Sequence, residues 1–201
     1  MKGIVYSLSG KLYDWLDERY ETTRYSSIRK KMLFSLEGRI LDAGCGTGRN
    51  FPYYSKNASV IGVDFSQKML DSAKERINKS KANIVLKNES LTKLSFSDNY
   101  FDNIVATFVL CVMPEKNERS ALKELVRVAK PGAELYFLEY VYSKNWLRKT
   151  IMFLTAFIPK FLYGLRFNST LPVIESEKSL KIERTEFVYD DVIRVIVAKK
   201  K

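Results

Sequence analysis

The segment Ile40-Leu41-Asp42-Ala43-Gly44-Cys45-Gly46-Thr47-Gly48 narrows what this chain can become more than any other. A short apolar strand reaches Asp42 and then runs into glycines at every second position. Glycine adopts positive φ without steric penalty and carries no Cβ, so such a turn lets the backbone lie close against a ligand. Dinucleotide enzymes begin in a related way, and a tight strand-to-helix junction with no ligand would look alike. Three details separate these readings. Asp64 ends a second short strand twenty residues after Gly44, where a carboxylate can accept both hydroxyl hydrogens of a ribose. Ser66 is the better helix N-cap there, which leaves Asp64 to that task. The spacing is Gly-x-Gly-x-Gly and lacks the later glycine at which a dinucleotide enzyme packs its helix. Asp42 also sets a negative charge where a pyrophosphate would be repelled and an ammonium attracted. The expected ligand is a nucleoside carrying a methionine-like tail.

The rest of the chain alternates strands with helices. Apolar residues four apart, Leu12, Leu16 and Tyr20 and then Ile28, Met32 and Leu36, predict helix over 9–36. Strands are expected at Arg39–Ala43, Val60–Asp64, Ile84–Leu86, Phe101–Ala106 and Glu134–Leu138, with the apolar run Phe108–Val112 continuing the fourth. Helices are expected over Ser66–Ser80 and Asn117–Ala129, the second closed by Pro131-Gly132. Asn50–Ser55 opens or belongs to another helix. Lys181–Tyr189 and Val192–Ala198 read as strands joined so tightly, through Asp190-Asp191, that they must be antiparallel. An α/β fold follows, with a parallel sheet covered by helices on both faces and finished by an antiparallel hairpin.

Composition bounds the chemistry. A chain of 201 residues, 46% hydrophobic and 28% charged, fits a single domain with a packed core. It contains no histidine, the commonest general base and metal ligand. Cys45 and Cys111 are too few for a disulfide framework and too far apart for a metal knuckle, so a reducing cytoplasm and no bound metal are expected. No apolar run suits a signal peptide or the roughly 20 residues of a spanning helix. The net charge of +11 is unevenly spread, since residues 143–168 hold five cations and no acid. That pattern fits an anionic surface or partner.

Four motifs in order carry a resemblance: Ile40–Gly48, Val60-Ile61-Gly62-Val63-Asp64-Phe65-Ser66, the segment Leu94–Asp102, and Leu125-Val126-Arg127-Val128-Ala129-Lys130-Pro131-Gly132. Across 38–140 the chain resembles class I S-adenosylmethionine-dependent methyltransferases, in particular the group of quinone C-methyltransferases and small lipid or thiol methyltransferases. The resemblance implies a Rossmann-like seven-stranded sheet whose last strand is antiparallel. It implies one domain over 1–201, with a helical cap over 1–37 and an insertion over 143–170 in the acceptor region. S-adenosylmethionine would be the methyl donor and S-adenosylhomocysteine the product. Carried over by motif, Asp42 with the turn Gly44, Cys45, Gly46 and Gly48 would hold the methionine portion. Asp64 would bind the ribose, with Phe65 beside the adenine. Ser90, or Glu89 if the alignment shifts by one, would meet the adenine amino group, with Leu91 against the ring. Thr107 would add backbone contacts, its alternative being an ordinary strand-end threonine.

Methyl transfer from a sulfonium is an in-line displacement, so positioning and exclusion of water matter more than a base. Without histidine, a base would have to be Glu139, a tyrosine or solvent. Glu139 ends the fifth strand at the ligand-bearing edge of such a sheet, and Tyr140 follows it. Tyr13 and Tyr20, with Tyr6, Trp15 and Tyr25, offer aromatic faces to a quaternising amine, or else form the buried side of a capping helix. The insertion flanks a short apolar run, Ile151–Ile158, with cations and aromatics, which suits the interface of an anionic membrane. A lid over a greasy pocket or an oligomer contact is the alternative, and either outcome is taken to imply an apolar acceptor. The leading expectation is a peripheral enzyme on the inner face of the membrane that methylates phosphatidylethanolamine, ahead of quinone C-methylation and thiol methylation. A nucleic-acid acceptor is disfavoured, because Thr107-Phe108-Val109-Leu110 stands where enzymes acting on base amines carry an Asn/Asp-Pro-Pro-Tyr type of motif. A cofactor-binding adaptor without turnover is the non-enzymatic alternative.

Overall fold

A computed structural model describes residues 21–157, 160, 165–167 and 169–201. Seven strands run Gly38–Ala43 (β1), Ala58–Asp64 (β2), Asn83–Asn88 (β3), Phe101–Thr107 (β4), Ala129–Tyr140 (β5), Leu180–Tyr189 (β6) and Ile193–Lys200 (β7). They form one sheet in the order β3-β2-β1-β4-β5-β7-β6. The first five pair in parallel. β7 lies antiparallel between β5 and β6, as the tight Asp190-Asp191 connection requires. The sheet is therefore the Rossmann-like one expected, with its C-terminal hairpin. The order of strands reverses between β1 and β4, so the loops leaving these two open a crevice at their carboxyl ends.

Both faces of the sheet are covered. Along β1 and β4, Ile40 and Leu41, then Ile104 and Val105, point to opposite sides and are all fully buried, the signature of parallel strands packed on two faces. Leu41 and Ile104 join Leu122 and Leu125 of the helix Glu115–Val128. Ile40 and Val105 join Ile28 and Leu33 of α1, Ser26–Leu33, and Leu70 and Ala73 of α2, Gln67–Ile77. The helix over Glu115–Val128 is α3, and Trp146–Thr155 and Leu171–Glu175 are α4 and α5. Each fully buried Leu or Ile stabilises by roughly 1.5–3 kcal/mol, so these two layers hold β1 and β4 rigidly where the crevice opens. Among the described residues no helix is long and apolar enough to cross a membrane.

Several local expectations change. Asn50–Ser55 holds only one tight turn, Phe51–Tyr53, with Pro52 at its start, and not a helix. The run Phe108–Val112 does not continue β4: Phe108 adopts φ 57 and Leu110–Val112 winds into a short turn. α3 begins at Glu115, directly after Pro114, which has no N–H to leave unsatisfied. The helix before Pro131-Gly132 ends at Val128, as that signal implies, but the two residues lie within β5 and not in a loop. Phe101 pairs with Ala129 and the next pair is Asn103 with Glu134, so Lys130–Ala133 bulges out of the ladder, Gly132 at φ 81. In the 9–36 region, residues up to 20 lie outside the described part. Beyond it, a wide turn Glu21–Tyr25 precedes α1. The Leu94–Asp102 motif proves to be an anchor: Arg127 donates to the Leu94 and Phe96 carbonyls and to Asp98 and Glu124.

Candidate active site

The turn after β1 is fixed by the strand beside it. Cys45 N donates to the Val63 carbonyl at 3.0 Å, and Gly48 N to the Cys45 carbonyl at 2.9 Å. Asp64 clamps both sides: its carboxylate accepts Gly46 N at 3.0 Å and Ser66 N at 2.8 Å. The glycines serve different ends. A Cβ on Gly48 would lie 2.6 Å from the buried Phe51 ring, so that glycine permits packing and does not face a ligand. A Cβ on Gly46, at φ 55, would meet nothing within 4 Å. Gly46 thus exposes bare backbone to open space, as a closely bound ligand requires.

That space is a cavity of about 450 Å³ along the carboxyl ends of β3, β2, β1 and β4, a volume suited to a small molecule of nucleoside size. Ser90, Leu91 and Thr92 wall it beyond β3, and Asp64 and Phe65 beyond β2. Gly44, Cys45, Gly46 and Thr47 follow from β1, and Thr107, Phe108 and Val109 from β4. Val112, Met113 and Pro114 complete an apolar side next to Phe108. Phe65 is 48% exposed and stands on the cavity wall. Of the two candidates for an adenine amino group, Ser90 stands on the wall. Glu89 turns away to Ser95, whose N–H it accepts at 2.9 Å. Burial raises the Asp64 carboxyl above its usual range, opposed by the N–H groups of Ser66 and Gly46. The Cys45 thiol is raised by burial and by the nearby Asp42 and Asp64, so it is no thiolate nucleophile.

Asp42 is placed differently from expectation. It is fully buried behind the cavity wall, and does not reach the ligand space directly. Its carboxylate accepts Asn50 Nδ2 at 2.9 Å and the Tyr54 hydroxyl at 3.1 Å. Burial pushes its pKa up to about 6, against the pull of those two hydrogen bonds and of Arg29. Asn50 Nδ2 also reaches Thr107 Oγ1 at 3.2 Å, while its carbonyl oxygen accepts Arg29. Arg29 NH1 donates to Thr107 Oγ1 at 3.1 Å and its Nε to Glu21 at 3.1 Å. Arg29, Asn50 and Thr107 all line the cavity. Thr107 therefore contributes its hydroxyl to a polar floor.

The sequence reading missed Arg29, Asn50 and Glu21. Arg29 sits beside Lys30 and Lys31, which looks like a solvated basic face. Yet Tyr25, Arg29 and Leu33 are spaced four apart and all buried, a stripe that could have been read. Glu139 and Tyr140 do not form the reacting centre expected of them. Glu139 is buried in an ion pair with Arg194, accepts Thr170 N at 2.7 Å, and lies off the cavity wall. A carboxylate so fully engaged positions β7 and the start of α5; it is not poised as a base. Tyr140 stands behind the wall, stacked on Phe108 at 4.9 Å and edge-on to Tyr25 at 6.3 Å. Tyr13 and Tyr20 lie outside the described residues.

Comparison with known proteins agrees with this geometry. The sequence pattern of a family described as a methyltransferase domain matches residues 40–132. A demethylmenaquinone methyltransferase of Staphylococcus aureus (strain JH9) is 34% identical over 177 residues, 84% of this chain and 68% of that protein. A phosphatidylethanolamine N-methyltransferase of Cereibacter sphaeroides is 35% identical over 105 residues, 51% of each chain. The match thus spans about half the length of that relative. Among solved structures, a SAM dependent methyltransferase from Aquifex aeolicus superposes with a TM-score of 0.70 at 22% identity, covering 96% of this chain and 100% of that one. This last likeness concerns the fold.

Proposed function

The chain belongs to the class I S-adenosylmethionine-dependent methyltransferases, and from that premise we propose that it methylates an apolar, lipid-like acceptor, with the amine of phosphatidylethanolamine as first candidate. Bound S-adenosylmethionine supplies an electrophilic methyl group on a sulfonium and leaves as S-adenosylhomocysteine. The protein's residues fit that cofactor: bare Gly46 backbone for close approach, Asp64 and Phe65 for ribose and adenine, Ser90 and Leu91 beyond them. Arg29, Asn50 and Thr107 would meet the polar methionine end.

The observation that carries the acceptor reading is the character of the cavity beside Thr107. Phe108, Val109, Val112, Met113 and Pro114 make that side apolar. No histidine exists in the chain, and Glu139 is held by Arg194 and Thr170. Such a site binds, orients and dehydrates, but does not deprotonate strongly. An amine that arrives neutral needs no more, and the Phe108 ring on the cavity wall, backed by Tyr140 and Tyr25, suits the cation that forms. The Cereibacter relative favours this acceptor. The longer match to a demethylmenaquinone methyltransferase favours a quinone ring carbon as second reading, and a thiol is the third.

The test is direct. The protein is incubated with methyl-labelled S-adenosylmethionine and a total cell extract, and labelled products are separated by phase and identified by mass spectrometry. Label in phosphatidyl-N-methylethanolamine is the expected result, and label in a quinone supports the second reading. Label confined to water-soluble products would overturn the apolar-acceptor proposal.

A further inference from the structure

We propose that α4 and its flanking cations dock this protein on the surface of an anionic phospholipid bilayer. No residue of α4 is buried. Trp146, Leu147, Ile151, Phe153 and Leu154 are 54–75% exposed, and Phe157 just past the helix is 72% exposed. At helical spacing, Trp146, Thr150, Phe153, Leu154 and Phe157 share one side, with Leu147 and Ile151 adjoining. The half-buried positions Met152 and Ala156 fall on the opposite side. The apolar side therefore faces away from the body of the protein.

What holds the helix is polar and sits at one end. Asp191, in the β6–β7 turn, accepts the Ser143 hydroxyl at 2.7 Å and Arg148 NH1 at 2.8 Å, as well as Lys144 N. Asn145 caps the helix by accepting Arg148 N at 3.1 Å. A helix tethered in this way, with no core packing of its own, presents its apolar face as a surface and not as a displaced piece of core. Such a patch on a water-facing protein marks an interaction site.

Charge selects the occupant. Residues 143–168 contain no acid, and Lys144, Lys149 and Lys160 have no carboxylate partner among the described residues. A second copy of the same cationic face would be repelled, whereas anionic headgroups complement it. Ten helical residues extend about 15 Å, half the hydrocarbon thickness, so α4 lies in the interface plane and does not span it. Docking extends the apolar-acceptor reading by giving the protein access to such an acceptor, but it is measured as binding, so either can fail alone.

The experiment uses the full chain with phosphatidylcholine vesicles that either contain or lack phosphatidylglycerol. Flotation is expected only with the anionic vesicles, and should weaken in 1 M salt, where screening acts within about 3 Å. In a Trp15→Phe background Trp146 is the sole tryptophan, and its emission should shift to the blue and be quenched by brominated lipid. Combined Trp146→Ser, Phe153→Ser and Phe157→Ser should weaken vesicle binding about tenfold or more, with binding of S-adenosylhomocysteine unchanged. Absence of flotation, or flotation unaffected by the triple variant, would overturn the proposal. So would a triple variant that converts a dimer to a monomer by sedimentation while keeping its vesicle affinity, for that outcome assigns the face to a second copy. Flotation without label in any lipid would leave docking standing and remove the acceptor reading. Label in detergent-dispersed lipid without flotation would do the reverse.

Discussion

Alanine at Gly46 and at Gly48 should damage the protein in opposite ways, although both glycines sit in one turn at positive φ. A non-glycine residue in that backbone region costs about 1–2 kcal/mol, common to both. At Gly48 the new methyl would press against the Phe51 ring at 2.6 Å, and Phe51 is wholly buried with no room to retreat. Overpacking adds about 1–3 kcal/mol, so Gly48→Ala should lose about 2–5 kcal/mol of stability in all. At Gly46 the methyl enters open cavity space and only the backbone penalty applies, so Tm should fall by roughly 2–8 °C in a domain of this size. The same methyl stands where the methionine portion would lie. A comparable steric cost of about 1–3 kcal/mol should raise the Kd for S-adenosylhomocysteine by about 5- to 150-fold. Urea unfolding and titration calorimetry on both variants separate the two effects. A Gly46→Ala protein that binds S-adenosylhomocysteine as tightly as wild type would refute the cradle assigned to this glycine.

Four further outcomes follow from the same geometry. Asp64→Ala removes the proposed ribose acceptor and the clamp on Gly46 N, so calorimetry should show cofactor affinity falling by about 2 kcal/mol or more; an unchanged Kd would contradict the ribose role. Arg29→Lys keeps the charge but loses the fork that serves Glu21, Asn50 and Thr107 together, so affinity should drop about tenfold while the far-ultraviolet spectrum stays native, and equal affinity would show that the floor does not touch the ligand. Glu139→Gln strands Arg194 in a buried site and should cost about 3–5 kcal/mol, with the pH–rate profile of the surviving folded enzyme unaltered; lost turnover at unchanged Tm would restore Glu139 as a base. Asp42 titrates near about 6 when folded against 3.8 ordinarily, so the folded state binds its proton more tightly, and above pH 6 the group destabilises by about 3 kcal/mol, a penalty that fades as pH falls from 6 towards 4. Urea midpoints for wild type and Asp42→Asn should therefore converge in the stability advantage of Asn on acidification, and a pH-independent difference would count against the buried-carboxylate assignment.

The turn side of the cavity was legible because it is built from contiguous residues. Gly44, Gly46, Asp64 and Phe65 are all read off two strand-to-turn junctions, and all four line the cavity. The terminal hairpin was legible for a similar reason, since so short a connection, three residues in the structure, leaves only an antiparallel pairing. The polar floor was not, because Arg29, Asn50 and Thr107 come from three separate segments and meet only when α1 packs on the sheet. Glu139 misled for a complementary reason. A carboxylate at the end of a parallel strand looks like a site residue until Arg194, 55 positions later, is seen to pair with it across β5 and β7. Strand limits also depended on partners. The Lys130–Ala133 bulge exists because Asn103 takes Glu134 as its neighbour, and no local pattern shows that pairing.

Asp42 shows why the turn motif carries an acid that is buried behind the cavity wall. Its two carboxylate oxygens are taken by Asn50 and Tyr54, so its influence on the cavity passes through Asn50, whose other side-chain atom accepts Arg29. Arg29 in turn holds Glu21, at the edge of the N-terminal segment. A buried polar chain therefore runs from Tyr54 through Asp42, Asn50 and Arg29 to Glu21. A hydrophobic residue at position 42 would avoid the burial penalty on the carboxylate, but it would leave Asn50 and the Tyr54 hydroxyl without partners, and buried donors left unpaired cost about 1–3 kcal/mol each. Removing Glu21 or Arg29 would leave the other without its ion-pair partner in a buried site. The acid is thus kept in place by its neighbours as much as it keeps them. Because Arg29 and Asn50 are at once links in that chain and part of the cavity wall, a substitution at either should be felt both in the buried network and in the cavity.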